Sequence, residues 1–369
     1  MSTINYLTRI EFGEGEARKL PGYLAELGIR RPLLATDRGI VASGLAARIR
    51  DLLPEIVLFD GTPANPTEEA VLAAFALYQG EGCDGIIGFG GGSSIDLAKA
   101  VRLLTGHAAP LAHYAAIEGG AARIHGRICP MVAIPTTAGT GSEVGRGAII
   151  NLADGRKLAI LSSHILPSIA LCDPELTYGL PPLLTAATGM DALSHCLETY
   201  MAPAFNPPAE AIALHGLSAG LSAIELAVAD GGHAEARRQM MVAALEGAMA
   251  FQKGLGAVHA LTHPLGAIRS LNLHHGTLNA VLMPAVLRFN RSAIGAKWAV
   301  LADRLGGEPD QVIADLNHRL RLPRGLAAMG VTEAMMAEVS EAALRDHCHL
   351  TNPRTATASD YYALLREAA

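Results

Sequence analysis

A chain of 369 residues exceeds what a single hydrophobic core ordinarily supports, and with half its residues apolar and 17% charged it can fill two. A formal net charge of −6 supplies no basic field, which excludes nucleic acid as a partner. Five cysteines (Cys83, Cys129, Cys172, Cys196 and Cys348) stand without C-x-x-C spacing and read as reduced thiols of a cytoplasmic protein. No run of 18 or more uninterrupted apolar residues offers a membrane span, and residues 1–5 lack the charged-then-apolar start of a signal peptide.

In chain order, strands are expected at residues 32–36, 55–59, 85–89, 131–134 and 168–172, with helical periodicity between them, as at 67–80 and 93–105. Such alternation predicts a parallel sheet covered by helices. The first of these strands ends at Asp37, with Gly39 close behind. An acidic residue there suits a ribose diol and repels a 2′-phosphate; it equally suits a turn or helix cap. The strand at 85–89 runs into Gly90-Gly91-Gly92-Ser93-Ser94 and then a helix. Glycines allow close approach of backbone to an anion, and the following helix presents its N–H groups to it. A second polar loop, Thr136-Thr137-Ala138-Gly139-Thr140-Gly141-Ser142-Glu143, follows the strand at 131–134. Strand ends of this kind are where open α/β sheets hold ligands.

After Pro181-Pro182 the character changes to long Ala/Leu/Met-rich stretches of helical period, such as 208–229 and 234–250. The expected architecture is therefore α/β, with a parallel-sheet dinucleotide-binding domain over residues 1–181 and an all-helical metal-binding domain over 182–369. In the helical half, Asp191 and His195 stand four apart and share a helix face. A second stretch offers His259 and His263-Pro264, followed by His274-His275. A carboxylate with imidazoles suits a divalent ion with a position left open for chemistry, and tolerates Fe²⁺ or Zn²⁺.

Together these residues carry a family resemblance. Gly90-Gly91-Gly92-Ser93 with Asp96-x-x-Lys99, Pro135-Thr136-Thr137-Ala138-Gly139-Thr140, Thr188-Gly189-Met190-Asp191 with His195, and His259-x-x-x-His263-Pro264 with His275-Gly276-x-x-Asn279 resemble the iron-containing alcohol dehydrogenases. Stretches at 115–120, 145–150, 204–208, 251–256 and 346–353 resemble that family's bacterial 4-hydroxybutyrate dehydrogenases in particular. The resemblance implies NAD and one metal ion, Fe²⁺ or Zn²⁺, held by Asp191, His195, His259 and His275. It implies that His263 lies near the nicotinamide and is no ligand. Pro264, which disfavours helical geometry at the residue before it, agrees with that. It maps the pyrophosphate turn onto Gly91, Gly92 and Ser93, adenine-side hydroxyls onto Thr136 and Thr140, and a cofactor-side lysine onto Lys157. Two departures stand out. The segment from His263 to His275 is longer than in many members, leaving His274 in competition with His275, and Gln252-Lys253 precede the Gly-Leu-Gly turn where many members have Asn.

The activity expected from this resemblance is hydride transfer between NAD and a small alcohol or aldehyde, interconverting 4-hydroxybutyrate and succinic semialdehyde, in a homodimer. His263 is the expected proton relay. The distal carboxylate requires a cation, for which Lys253, Arg146 and Arg269 are candidates, with Lys253 favoured for leading directly to His259. Alternatives are a general iron-type primary alcohol oxidoreductase and a dehydroquinate-synthase-like lyase. The lyases carry glutamate where Asp191 stands and need a basic phosphate pocket that the sequence does not offer.

Overall fold

The computed structural model describes residue 4 and residues 8–369 apart from Pro54 and Asp154; the expected absence of a signal peptide rests mostly on residues outside the described ones. The chain forms two compact units. One runs to Thr137 and resumes over Gly141–Gly179; the other is Leu180–Ala369 with the short segment Ala138–Thr140.

Among its described residues the first unit contains eight strands: β1 (Arg9–Phe12), β2 (Pro32–Ala35), β3 (Val57–Phe59), β4 (Gly85–Gly90), β5 (Met131–Pro135), β6 (Gly147–Asn151), β7 (Lys157–Leu161) and β8 (Ile169–Cys172). Six form one parallel sheet in the order β1-β8-β5-β4-β2-β3, while β6 and β7 pair as an antiparallel hairpin. β2, β4, β5 and β8 are buried along their whole length, which explains their unbroken apolar runs. Alternate residues feed two cores: Leu33, Ile86 and Met131 face one side, Leu34, Ile87 and Val132 the other. β1 escapes the sequence pattern because it is an edge strand with Arg9 and Glu11 among its four residues. The hairpin escapes it because β7, only partly buried, begins on a charged lysine.

The helices of this unit start on side-chain caps where the sequence provides them. Thr67 caps Glu68–Gly80, and Asp37 caps Arg38–Ala42. The helix Gly92–Leu104 has only Gly91 at its cap position and no side-chain bond there.

The second unit is helical, and among its described residues no strand occurs. The helices Pro182–Met201, Pro207–Ala229 and Ala234–Ala250 pack on one another around an alanine- and leucine-rich core. By length and composition Pro207–Ala229 could cross a membrane. Its Ala213, Leu217 and Ile224 are instead fully buried in this core.

Candidate metal and cofactor site

Three helices of the second unit converge on one buried polar cluster. Pro182–Met201 supplies Asp191, His195 and Glu198, which at i, i+4 and i+7 share a face and are each 4% exposed or less. Ala257–Gly266 supplies His259, and His275–Asn290 supplies His275 and, one turn on, Asn279. One donor atom each of Asp191, His195 and His259 lies within 4.8 Å of the other two. Asp191 Oδ1 is 3.8 Å from His195 Nε2 and 3.7 Å from His275 Nε2. Ligand bonds of about 2.0–2.2 Å around a tetrahedral ion put neighbouring donors roughly 3.4 Å apart, so these separations need little closing.

The protonation pattern favours a cation at this point. His259 Nδ1 sits 2.6 Å from Glu198 Oε2, which assigns the proton to Nδ1 and leaves the Nε2 lone pair directed inward. The Asn279 amide nitrogen stands among Asp191 Oδ1 at 2.7 Å, His259 Nε2 at 3.3 Å and His275 Nε2 at 3.3 Å. Two amide hydrogens cannot satisfy three acceptors, whereas one divalent ion can. Burial pushes the His195 imidazole down to about 4, with Asp191 opposing, so the ring is neutral and its lone pair available. Burial also works against charge on His259, but the Glu198 carboxylate outweighs it and raises that group.

Close helix approach makes the cluster possible. A Cβ on Gly276 would lie 2.2 Å from the Ala187 carbonyl oxygen and 3.1 Å from Asp191 Cβ. A Cβ on Gly247 would press on His195 Cβ at 3.0 Å.

His274 and His275 hold different positions. His274 is the N-cap of the His275–Asn290 helix, its Nδ1 accepting from Thr277 N–H at 3.4 Å. The expectation that Pro264 would pull His263 out of the helix is corrected: Ala257–Gly266 runs through both residues. A proline near a helix end removes a single intrahelical bond, too little to displace its neighbour. His263 is turned by a different partner, Asp346, whose Oδ2 lies 2.8 Å from Nδ1. Burial would raise the Asp346 carboxyl, but His263 prevails and holds it well below its ordinary range.

Lys253 requires a correction too. The residue is 3% exposed, and its ammonium donates to Thr199 O at 2.8 Å and to Ala202 O, with Glu210 Oε1 at 3.2 Å. It therefore closes the C-terminal end of the Pro182–Met201 helix, where the dipole favours a cation, and has no reach left for a substrate carboxylate. Arg146 and Arg269 are both exposed.

In the first unit β4 ends at Gly90 with φ 145°, where a Cβ would meet Ser94 Oγ at 2.7 Å. Only glycine fits. The helix beyond it presents the backbone N–H groups of Gly92 and Ser93 without a side-chain cap, the arrangement that receives phosphate. Asp37 lies beside this turn, accepting from Ile40 N–H at 3.0 Å and from Ser94 Oγ–H at 3.2 Å. Ser93 Oγ donates to Ala64 O at 2.5 Å, and Lys157 Nζ to Asn65 Oδ1 at 3.0 Å, so both border the loop after β3. Thr136 follows β5 directly, and its buried hydroxyl has no partner among the described residues. The hydroxyls of Thr36 and Thr62, after β2 and β3, share that condition and were not singled out from sequence. Thr140 belongs to the short segment grouped with the helical unit.

Residues 8–174 match the iron-containing alcohol dehydrogenase family, and residues 185–369 match the C-terminal part of the Fe-containing alcohol dehydrogenase family. The chain belongs to the iron-containing alcohol dehydrogenases. It is 53% identical to a 4-hydroxybutyrate dehydrogenase of Cupriavidus necator, with all of both chains covered. It is 35% identical to a 1,3-propanediol dehydrogenase of Klebsiella pneumoniae over 93% of this chain and 92% of that one. Among solved structures, a 1,3-propanediol oxidoreductase superposes over both whole chains with a TM-score of 0.94 at 33% identity. A sulfoacetaldehyde reductase from Bifidobacterium kashiwanohense, solved in complex with NAD⁺, covers 100% of this chain and 99% of its own, with a TM-score of 0.90 at 28% identity.

Two residues of this alcohol dehydrogenase were missed as site residues in the sequence. Glu198 was legible as the third member of the i, i+4, i+7 series begun by Asp191 and His195. Asp346 lies 83 positions from His263, and no local spacing reports such a pairing.

Proposed function

We propose that this alcohol dehydrogenase interconverts 4-hydroxybutyrate and succinic semialdehyde with NAD⁺/NADH, and that Asp191, His195, His259 and His275 hold its ion, Fe²⁺ or Zn²⁺. The substrate rests on the full-length likeness to a protein of that name. The ligand set rests on one observation, the convergence of these side chains: donor atoms of Asp191, His195 and His259 lie within 4.8 Å of one another, and Asp191 Oδ1, His259 Nε2 and His275 Nε2 surround a single amide nitrogen.

A divalent ion in this set supplies Lewis-acid stabilisation of charge on an alcohol oxygen. The protein's own residues do the rest. Glu198 keeps His259 in the tautomer whose Nε2 can ligate. His263, with its Nδ1–H directed to Asp346, has Nε2 as the acceptor for the alcohol proton, and NAD⁺, when bound, would supply the hydride acceptor. Gly91, Gly92 and Ser93 receive the pyrophosphate, Asp37 the ribose diol, Thr136 and Thr140 the adenine side, with Lys157 close to the cofactor. With Lys253 withdrawn, Arg146 and Arg269 are the cations for the distal carboxylate.

The five free thiols support a reducing, cytoplasmic setting, and we infer a homodimer, which sedimentation would test. The substrate reading is tested by comparing 4-hydroxybutyrate with 1-butanol on metal-loaded protein. A charge-assisted contact worth roughly 1.5–3 kcal/mol gives the hydroxy acid a kcat/KM about tenfold to a hundredfold higher. Equal or better use of 1-butanol would leave only the broader alcohol dehydrogenase assignment.

A further inference from the structure

The turn after Arg345 carries chemistry that alcohol oxidation leaves unused. Asp346 caps the short helix His347–Thr351, its Oδ1 accepting from Cys348 N–H at 2.8 Å. His347 Nδ1 lies 3.6 Å from Asp346 Oδ1, and His347 Nε2 lies 3.4 Å from Cys348 Sγ. From the Ala257–Gly266 helix, His263 brings its Nδ1 to 2.8 Å from Asp346 Oδ2 and stacks on His347 with ring centroids 5.6 Å apart. One donor atom from each of these four residues lies within 4.8 Å of the donors of the other three. Orienting His263 requires only Asp346, so that role does not account for the imidazole and thiol gathered at the same point.

The two donor clusters differ in softness. The Asp191 cluster offers oxygen and nitrogen; this one adds sulfur. Thiolate with imidazole favours Zn²⁺ over Fe²⁺. The Cys348 thiol is free and buried, and burial with the nearby Asp346 carboxylate keeps it protonated when no ion is present. Coordination would therefore exchange the thiol proton for the ion, releasing the proton to solvent.

We propose that His263, Asp346, His347 and Cys348 form a second divalent-metal site, selective for Zn²⁺ over Fe²⁺, whose occupation inhibits the enzyme by holding His263 as a ligand. The binding stands on the four residues alone. The inhibition rests on the proposed reading of His263 as proton acceptor, and the two are measured separately.

The test titrates metal-free full-length protein with Co²⁺ as a zinc surrogate, following near-ultraviolet thiolate-to-cobalt charge transfer. The Asp191 cluster contains no sulfur, so the band reports the second site alone. Two equivalents should bind, one of them raising the band. Cys348→Ser and His347→Gln should each abolish the band and reduce binding to one equivalent while the Fe²⁺ enzyme stays active. Asp191→Asn should keep the band and lose turnover. Excess Zn²⁺ should inhibit the Fe²⁺-loaded parent at least tenfold and spare Cys348→Ser. A single equivalent in the parent, or a band that survives Cys348→Ser, overturns the site. Zn²⁺ inhibition unchanged in both variants overturns the inhibitory role, whether or not 4-hydroxybutyrate proves to be the substrate.

Discussion

Replacing Glu198 by Gln should weaken the ion at the Asp191 cluster without unfolding the protein. Glu198 serves two partners: Oε1 accepts Val258 N–H at 2.7 Å, capping the Ala257–Gly266 helix, and Oε2 faces His259 Nδ1 at 2.6 Å. The Gln carbonyl oxygen can keep the backbone bond. Its amide nitrogen is a donor, so it pairs with His259 only if Nδ1 becomes an acceptor, which moves the ring proton to Nε2, the ligating atom. Reversing that tautomer, and losing the carboxylate that raises His259 against burial, costs roughly 1.4–2.8 kcal/mol, equivalent to a tenfold to hundredfold weaker hold on the ion. The assay is Zn²⁺ competition against a chromophoric chelator in a Cys348→Ser background, so that only the Asp191 cluster is read, with thermal unfolding of the metal-free proteins as control. Parental metal affinity in Glu198→Gln would refute this reasoning and reduce Glu198 to a helix cap.

Four further outcomes are expected. Gly276→Ala forces a Cβ to within 2.2 Å of the Ala187 carbonyl, which should separate the two ligand helices and abolish metal binding, read by metal analysis of the purified protein. Lys253→Met strips donors from the end of the Pro182–Met201 helix and should cost about 2–3 kcal/mol in urea unfolding while leaving the preference for 4-hydroxybutyrate over 1-butanol intact; a lost preference at unchanged stability would restore Lys253 as a substrate contact. Asp37→Asn keeps an oxygen for Ile40 N–H but removes the charge, so the ratio of NAD⁺ to NADP⁺ kcat/KM should fall. Burial pushes the Glu143 carboxyl from 4.5 up to about 7, so between those values the native state holds a proton that the unfolded chain has lost, and stability falls as pH rises through that window. Glu143→Gln cannot ionise and should gain up to about 3 kcal/mol over the parent at pH 8 and little at pH 4, measured by chemical denaturation.

Sequence by itself determined the features that local repetition encodes. Four fully buried parallel strands announce themselves as unbroken apolar runs because both faces are covered. Asp191 and His195 share a face because the helix period brings i and i+4 together. The tight turn after β4 is legible because at φ 145° Gly90 tolerates no side chain. Tertiary structure decided the partners. Lys253 reads as a spare cation beside a ligand, but the end of a helix more than fifty residues earlier holds it through three carbonyls. Of the adjacent imidazoles, His274 caps the helix and His275 enters it, a difference that no spacing in the sequence reports. Asp346 reaches His263 across 83 positions. Such pairings depend on where separate helices stop and how closely glycines let them approach, and neither quantity is periodic in the chain.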